Sequence, residues 1–383
     1  MNIPQLEDLG SLDGLRVLVR CDLNVPLMNG AIVNDIRIRS SLPTLNYLND
    51  AGAKVTVCSH LGRPKGEYDS DLVIDPVALR LETLVPGISI LENLRFNSGE
   101  TLNEESFVSE LINGQDCYVN DAFGSSHREH ASIVGPPAYL PSVAGRLLFR
   151  ELEVLQSLRK TTRRPFVAVL GGAKVSDKIG VIETLLEQVD ELLIGGGMMF
   201  TFLAAQGCSI GDSLVDENLL EHCSKLLENS DQIRLPVDVT ALDQDGVLHH
   251  PDQGGEVRQF GLSLPDGWKG VDIGPGSAAE FFDTIVEAGT VLWNGPMGVF
   301  EDKRFQSGTR TIADAVAQCQ GFTVVGGGDS AASIVEFGFS DNIDYISTGG
   351  GATLEFIEKG DLPGVAALRN SVHLSANRGV PYE

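Results

Sequence analysis

The sequence is dominated by short apolar runs that show no alternation of polar and apolar residues. In the first half they are "RVLVRCDLNV", "AKVTVCSHLG", "ISILENLRF" and "CYVNDAFG". In the second half they are "PFVAVLGG", "ELLIGGG", "TVLWNGPMG", "FTVVGGGD" and "DYISTGGG". Strands that are buried on both faces of a parallel sheet have this composition, and helical stretches lie between these runs. The pattern predicts an α/β fold of doubly wound, Rossmann-like parallel sheets.

The chain is too long for a single hydrophobic core, because 383 residues exceed what one core usually serves. Residues 145–165 read as an amphipathic linker helix that Pro165 ends. We therefore expect an N-terminal domain over 1–150 and a C-terminal domain over 165–367. Residues 235–270 are rich in Asp, Gly and Pro, and we expect them to leave the second sheet as short β pieces.

The net charge excludes several classes of partner. It is −25, from 28 basic and 53 acidic residues. Such a surface repels nucleic acid and anionic membranes, so we expect neither as a partner. No apolar stretch reaches the ~18 residues of a membrane span, and the first residues lack the features of a secretory signal. An anionic substrate would need a local basic pocket.

The six cysteines indicate the compartment. They lie far apart in the sequence and form no C-x-x-C pair. This spacing argues against a zinc site and against a disulfide framework. It fits a protein of the reducing cytoplasm.

Carboxylate, amide, histidine and arginine side chains follow the strands of the first half, where open α/β sheets bind their ligands. These residues are Asp22, Asn24, Arg37, His60, Arg63, Arg95 and Arg128. An arginine fork binds carboxylate or phosphate through two hydrogen bonds, so the set predicts a pocket for a small polyanion. For any single arginine, a surface ion pair remains an alternative.

Three histidines, His60, His127 and His130, also follow these strands. A metal site and a catalytic role are both conceivable, but a histidine beside a turn is more often a hydrogen-bonding or packed ring. Three histidines without clustered carboxylates make a poor zinc site. We therefore expect no metal at this position.

Glycine-rich turns follow the strands of the second half. They are "LGGAK", "IGGGM", "NGPMG", "GGGDS" and "TGGGA". Glycine lets backbone N–H groups approach a phosphate, and a following helix offers its positive N-terminus. For one run alone, a tight turn without a ligand is an equally good interpretation. The run "GGGDSA" also matches a loose dinucleotide pattern, so a nicotinamide-dependent dehydrogenase is an alternative function.

Lys174 and Lys178 stand just after the first of these turns. We predict that both share one face in the first turns of a helix. The predicted buried face of that helix consists of Val175, Ile179, Ile182, Leu186 and Val189. The helix dipole disfavours cations at its N-terminus, so the pair indicates an external anion such as phosphate. Solvated surface lysines are the alternative.

Two carboxylates in the second half are candidates for nucleotide contacts. Asp329 could hold Mg²⁺ on nucleotide phosphates or could cap the following helix. Glu301 could accept hydrogen bonds from ribose hydroxyls. An arginine pocket and a glycine-lined phosphate site together suit phosphoryl transfer between a small anion and a nucleotide. A Walker A motif is excluded because the sequence contains no Gly-Lys dipeptide.

Taken together, these motifs resemble those of the phosphoglycerate kinase family and run in the family's order over nearly the whole chain. The motifs are "RCDLNVP", "SHLGRP", "LENLRF", "VNDAFGSSHR", "GGAKVSDKIGVI", "IGGGMMFTFL", "WNGPMGVFE", "GGGDS" and "STGGGA". The resemblance implies two Rossmann-like domains with an interdomain cleft and a hinge. It also implies reversible transfer between 1,3-bisphosphoglycerate and ADP, which gives 3-phosphoglycerate and ATP with Mg²⁺, in a cytoplasmic monomer. A C-terminal tail, about 368–383, would pack on the first domain.

The resemblance assigns the seven polar residues of the first half to the phosphoglycerate site. It assigns to the nucleotide Lys174, Lys178, Asn294, Glu301, Gly326, Gly327, Gly328, Asp329 and Ser330. Arg37, Lys178, Lys174 and Gly327 would act on the transferred phosphoryl group, and Asp329 would hold the metal. Two positions depart from the family pattern. Cys21 replaces a common valine, and Glu129 could weaken the anion site beside Arg128.

Overall fold

The computed structural model describes residues 3–160 and 163–371. The chain forms two compact units, one of Met1–Gln156 with Lys359–Glu383 and the other of Ser157–Glu358. Each contains a parallel sheet with helices, which confirms the predicted α/β fold class. From residue 372 onward, the predicted C-terminal tail lies outside the described residues.

The first unit is built on a five-stranded parallel sheet. Its strands and a separate two-stranded hairpin are β1 (Arg16–Cys21), β2 (Leu27–Met28), β3 (Ala31–Ile32), β4 (Lys54–Cys58), β5 (Ser89–Ile90), β6 (Cys117–Asp121) and β7 (Ser142–Ala144). The sheet order is β5-β4-β1-β6-β7, and β2 pairs with β3. The strand β7 was not predicted, because three residues at a sheet edge give no recognisable apolar run.

The α-helices up to residue 160 accompany this sheet. They are α1 (Ile36–Asp50), α2 (Asp75–Leu84), α3 (Ser98–Leu102), α4 (Glu105–Ile112), α5 (Ala131–Val134) and α6 (Arg146–Lys160). The last of these lies within the predicted linker helix, and the boundary between the two units falls inside it. Its first turn is capped by other elements: the Leu147 N–H donates to Asp121 Oδ1 at 2.9 Å, and the Arg146 N–H donates to Thr44 Oγ1 at 2.8 Å.

The second unit contains a six-stranded parallel sheet and a smaller antiparallel one. Its strands are β8 (Phe166–Leu170), β9 (Glu191–Ile194), β10 (Ile233–Arg234), β11 (Val239–Asp243), β12 (Val257–Phe260), β13 (Trp268–Ile273), β14 (Thr290–Asn294), β15 (Phe322–Gly326) and β16 (Tyr345–Ile346). The parallel order is β10-β9-β8-β14-β15-β16, and the antiparallel order is β12-β11-β13. The antiparallel sheet coincides largely with residues 235–270, which we expected to leave the second sheet as short β pieces.

The helices of the second half are mostly short and lie between these strands. They are α7 (Ile179–Leu186), α8 (Met199–Ala205), α9 (Leu220–Asn229), α10 (Pro275–Val286), α11 (Ser307–Gln318), α12 (Gly328–Phe337) and α13 (Gly351–Lys359), with α14 (Pro363–Arg369) in the first unit. None of the helices in the described ranges combines the length and hydropathy that crossing a bilayer requires.

The central strands explain why the apolar runs are continuous. Every residue of β8 and of β14 is buried. The largest of them, Trp293, is fully buried, and its indole N–H donates to the Gly295 carbonyl at 2.8 Å. Because both faces of these strands are covered, polar side chains are confined to the strand ends.

The predicted helix after Gly172 was wrong in its start, whereas three residues of its predicted buried face, Val175, Ile182 and Val189, are buried. Val175–Asp177 form a 3₁₀ turn, and the α-helix begins only at Ile179. The 3₁₀ turn has about 3.0 residues per turn instead of about 3.6, which rotates the faces that follow. Val181 and Leu185 are therefore buried, whereas Ile179 and Leu186 are only partly covered.

Candidate active site

The sheet of the first unit brings the predicted polyanion residues together. In the register of β1 with its neighbours, Arg20 pairs with Cys58 of β4 and with Asn120 of β6. Asp22 and His60 therefore leave adjacent strands at the same edge. The Asn24 side chain links these two strand ends, because its Oδ1 accepts from the Gly62 N–H at 2.9 Å.

His60 lies in the middle of the positive charges. It is only 6% exposed, and Nη2 of Arg20 contacts its Nδ1 at 3.0 Å. Burial lowers the pKa of His60 well below its ordinary value, and the charges of Arg20, Arg95, Arg37 and His130 lower it further. The imidazole is therefore neutral at pH 7, and the predicted residues Arg37, His60 and Arg95 form one electrostatic cluster.

Two of the predicted polyanion residues, Asp22 and Arg95, each have a buried atom without a hydrogen-bond partner among the described residues. Ser125 Oγ donates to Asp22 Oδ1 at 2.5 Å, but Asp22 Oδ2 has no hydrogen-bond partner among the described residues. Arg95 donates from Nη1 to the Gly62 carbonyl at 2.9 Å, while its buried Nε likewise lacks a partner in the described part of the chain. Buried polar atoms of this kind normally bond to a ligand or to water.

The outer members of the predicted set are solvent-exposed. Arg63 and Arg128 are both exposed. The charge of Arg63 lowers the pKa of Arg95, after burial and Arg20, and that of Arg128 contributes to the lowered pKa of His130, where burial is the main cause. The Glu129 side chain is exposed as well.

Sequence reasoning missed the layer beneath this cluster. Arg20, Glu100 and Ser132 are completely buried there, and Ser125 holds the Asp22 carboxylate. The signal was present in "RVLVRC", because a charged residue inside a buried strand needs a buried partner. No sequence pattern indicates that Glu100, 80 positions away, belongs to this layer.

In the second unit, Lys178 is surrounded by the polar side chains of Asn294, Asp329 and Asp177. Its Nζ donates to the carbonyl oxygen and to Oδ1 of Asn294, both at 2.8 Å. Burial lowers the pKa of Lys178 to about 8, although the carboxylates of Asp329 and Asp177 oppose this effect. An additional anion beside Nζ would favour the charged form.

The predicted pairing of the two lysines on one helix face was wrong. Lys174 is exposed and has an extended backbone, with φ −124° and ψ 134°, before the 3₁₀ turn. Lys178 lies between that turn and α7. Lys174 instead lines a cavity of about 400 Å³ together with Ala173, Leu214 and Val215.

The N-terminus of α12 lies next to Asn294, the residue to which Lys178 donates. Gly327, with φ +97°, precedes the helix, and a Cβ atom there would lie 3.2 Å from Asn294 Nδ2. That amide nitrogen is buried and has no hydrogen-bond partner among the described residues. At Gly328 a Cβ atom would meet nothing within 4 Å, so the first turn of α12 is open to a ligand. Its first N–H groups have no acceptor inside the helix.

The other candidates of the second unit have different surroundings. The Ser330 hydroxyl is buried and accepts from the Gly295 N–H at 2.6 Å, so it is committed to the fold. Asp329 is exposed in the first turn of α12, and the N-cap is Gly327, so the capping alternative for Asp329 was wrong. Glu301 is exposed at the end of the turn that follows β14. Gly326, by contrast, is buried at the end of β15.

Not every glycine run is open to a ligand. A Cβ atom at Gly196, with φ +66°, would lie 2.5 Å from the Gly172 backbone nitrogen. The Gly172 N–H itself donates to the Pro296 carbonyl at 3.0 Å. These glycines let three strand-end turns pack together. For them the alternative interpretation, a tight turn without a ligand, is correct.

The donor set around Asp329 can be tested against Mg²⁺. The described residues contain no group of three or more His, Cys, Asp or Glu that could hold a metal. One carboxylate beside an open phosphate-binding helix end nevertheless fits Mg²⁺, because this ion usually keeps waters and takes further oxygens from phosphates. Asp329 therefore suits a nucleotide-bound ion.

A family model described as phosphoglycerate kinase matches residues 6–90 and 86–360. The chain belongs to the phosphoglycerate kinase family. This confirms the resemblance of the motifs and makes the chain a member of a kinase family. The matched family and the relatives named below give no support to the dehydrogenase alternative.

Known phosphoglycerate kinases are similar over almost their whole length. The enzyme of Rubrobacter xylanophilus is 47% identical over 93% of this chain and 96% of its own length. That of Salinispora arenicola is 49% identical over 97% of this chain and 100% of its own. The solved structure from Coxiella burnetii has a TM-score of 0.82 at 37% identity and covers 96% of this chain and 98% of that one. The structure from Pyrococcus horikoshii has a TM-score of 0.83 at 31% identity, with 96% and 99% covered.

The lowered pKa of Lys178 leads to a prediction about the pH dependence of this kinase. If charged Lys178 receives the nucleotide, kcat/KM for MgATP falls as pH rises through about 8, because the free protein then loses this proton. The descending limb of kcat lies at higher pH, since bound phosphates stabilise the ammonium. Initial rates between pH 6 and pH 10 measure both limbs.

Lys225→Ala serves as the matched control, because Lys225 is exposed on α9 and pairs with Glu221. This variant should keep both limbs. Lys178→Ala should lose roughly 10²-fold or more in kcat and lack the limb near pH 8. A limb that persists in Lys178→Ala would assign it to another group.

Proposed function

We propose that the chain transfers a phosphoryl group reversibly between 1,3-bisphosphoglycerate and ADP, giving 3-phosphoglycerate and ATP. This proposal rests on the polar groups in each unit that have no hydrogen-bond partner among the described residues. The first unit presents arginine forks with a buried carboxylate oxygen, and the second an open helix N-terminus beside a buried lysine. These groups match a small phosphorylated acid and a nucleotide, respectively.

The phosphoglycerate fits the first unit by its three functional groups. Its phosphate and carboxylate would bind the forks of Arg63, Arg95 and Arg128, which offer paired donors. Its hydroxyl would donate to Asp22 Oδ2, which otherwise lacks a partner among the described residues. His60 would supply a neutral N–H donor, because its pKa is too low for a charged ring.

The nucleotide fits the second unit in the same way. Its phosphates would accept from the backbone N–H groups at Gly327 and Gly328 and from Lys178, which combine the helix dipole with a full charge. Asn294 Nδ2 would donate to the same phosphates. Lys174 would reach the phosphates from the cavity that it lines, and Glu301 would accept from the ribose.

Mg²⁺ would enter with the nucleotide and be held by Asp329. When bound, it neutralises part of the phosphate charge. The remaining steps use this chain's own residues. The acceptor is a carboxylate that carries no proton to remove, so no general base is needed. Catalysis then consists of orientation and charge neutralisation, to which Arg37, Lys178, Lys174 and the Gly327 N–H contribute.

We further propose that the protein acts as a cytoplasmic monomer. All six cysteines are free, and five of them are buried. Unpaired thiols in this number are typical of a reducing compartment. Sedimentation equilibrium of the purified chain would test the monomer, and a stable dimer would contradict it.

The kinase assignment predicts different effects for two arginines of one helix. Arg37→Ala should lose roughly 10²–10³-fold in kcat, because it removes a charge from the reacting groups. Arg39→Ala is the matched control, because Arg39 donates to Asp35 at 2.9 Å on the exposed side of the same helix. An assay of 3-phosphoglycerate with MgATP, coupled to consumption of the acyl phosphate, measures both. Equal activity of both variants would contradict the role of Arg37.

Direct transfer requires that the two bound reactants meet, and exclusion of water protects the acyl phosphate from hydrolysis. We therefore expect a more compact molecule when both substrates are bound. Small-angle scattering should give a smaller radius of gyration with 3-phosphoglycerate and a non-hydrolysable MgATP analogue than with neither. The same radius in both conditions would contradict hinge closure.

A further inference from the structure

A continuous chain of hydrogen bonds lies beneath the arginine pocket. Glu100, Ser132 and Arg20 are all 0% exposed. Ser132 donates to Glu100 twice, from its hydroxyl to Oε1 at 2.7 Å and from its backbone N–H to Oε2 at 2.9 Å. Arg20 Nε donates to the same Ser132 hydroxyl at 2.8 Å. The guanidinium is thereby fixed from below through a neutral bridge to a buried carboxylate.

The other end of the guanidinium faces the substrate residues. Nη2 lies 3.0 Å from His60 Nδ1, and Nη1 lies 3.8 Å from Asp22 Oδ1 and also donates to the Cys21 carbonyl. Burial lowers the pKa of Arg20, but the carboxylates of Asp22 and Glu100 raise it above its ordinary value. Arg20 therefore remains a buried cation that donates in several directions.

This geometry allows only one tautomer of His60. A guanidinium carries five donors and no acceptor, so the hydrogen bond to Nδ1 requires that Nδ1 accepts. A neutral imidazole that accepts at Nδ1 carries its proton on Nε2. His60 is thus an N–H donor at its far nitrogen, and a flipped proton would leave two donors facing each other.

We propose that Arg20, held by Ser132 and Glu100, is a positioning residue that locks His60 as the Nε2–H tautomer for recognition of the substrate. This inference rests on the proposed function, in which His60 contacts the phosphoglycerate. Arg20 itself is too deeply buried to touch the substrate. It acts through His60, whose neutral donor selects an oxygen acceptor without adding a charge.

The proposal can be tested on the unliganded protein, independently of activity. Two-bond ¹H–¹⁵N correlation spectra of uniformly labelled protein at pH 7 identify the protonated nitrogen of each histidine, and His60→Gln assigns the resonance. The expected result is an unprotonated Nδ1 and a protonated Nε2 in His60. An Nδ1–H tautomer, or a time-averaged mixture, would overturn the inference even if the protein is a fully active kinase.

Ser132→Ala then tests the support beneath Arg20 without changing a charge. It removes the bridge between Arg20 and Glu100, so His60 should become a mixture of tautomers. KM for 3-phosphoglycerate should rise about tenfold, the usual effect of losing a hydrogen bond to a charged group, while KM for MgATP changes less than twofold. An unchanged His60 spectrum in Ser132→Ala would contradict the role of the hydrogen-bond chain that runs from Glu100 through Ser132 and Arg20.

Tyr118→Phe is the matched control. The Tyr118 hydroxyl is buried and donates to the Ser132 carbonyl at 2.7 Å. The variant therefore loses a hydrogen bond to Ser132, but one that is not part of the hydrogen-bond chain from Glu100 to His60. Its His60 spectrum should equal that of the wild type. Arg20→Gln removes the cation directly, and a folded variant must also lose the single tautomer. If Arg20→Gln does not fold, the wild-type and Ser132→Ala spectra still decide.

Discussion

Parallel pairing of strands that are buried on both faces confines the chemistry of this protein to the strand ends. In the first unit, β1 lies between β4 and β6, and its register brings the residues that follow these strands to one edge. In the second unit, β14 lies between β8 and β15, which brings Asn294 opposite Leu170 and Gly326. Each site is therefore assembled from segments that are distant in sequence, and each depends on an unbroken apolar sheet.

The two candidate sites would bind anions by different means. The first uses a group of cations in which burial and mutual repulsion lower the pKa of both His60 and Arg95. The second uses one buried lysine and an open helix end. The proposed function requires that a chain with a net charge of −25 binds anions in both places, and this is feasible because each site is local and solvent screens distant surface charges. Bound substrate would relieve the repulsion among the cations of the first site.

Sequence reasoning recovered the fold class and the family because motifs and apolar runs are local features. It missed β7, which is too short to give a pattern, and it placed the start of α7 too early because a 3₁₀ turn precedes the helix. It could not separate packing glycines from ligand-binding ones. Gly196 packs against Gly172, whereas Gly328 is open, and only tertiary contacts reveal this difference.

The buried layer was the least accessible part of the candidate site. Glu100 and Arg20 meet through Ser132 across three separate segments, and Glu100 and Ser132 lie outside all of the recognised motifs. What the sequence did offer was a charge inside an apolar strand, which requires compensation. Such a residue indicates that a buried partner exists but does not identify it.

We propose that one unit binds the phosphorylated acid and the other binds the nucleotide, in each case through the atoms that lack hydrogen-bond partners in the protein. A crystal structure with 3-phosphoglycerate and MgADP tests it most directly. The acid should be bonded to Asp22 Oδ2 and Arg95 Nε, and the nucleotide phosphates should lie against Gly327, Gly328 and Lys178. Ligands bound elsewhere, with these atoms still lacking partners, would contradict it.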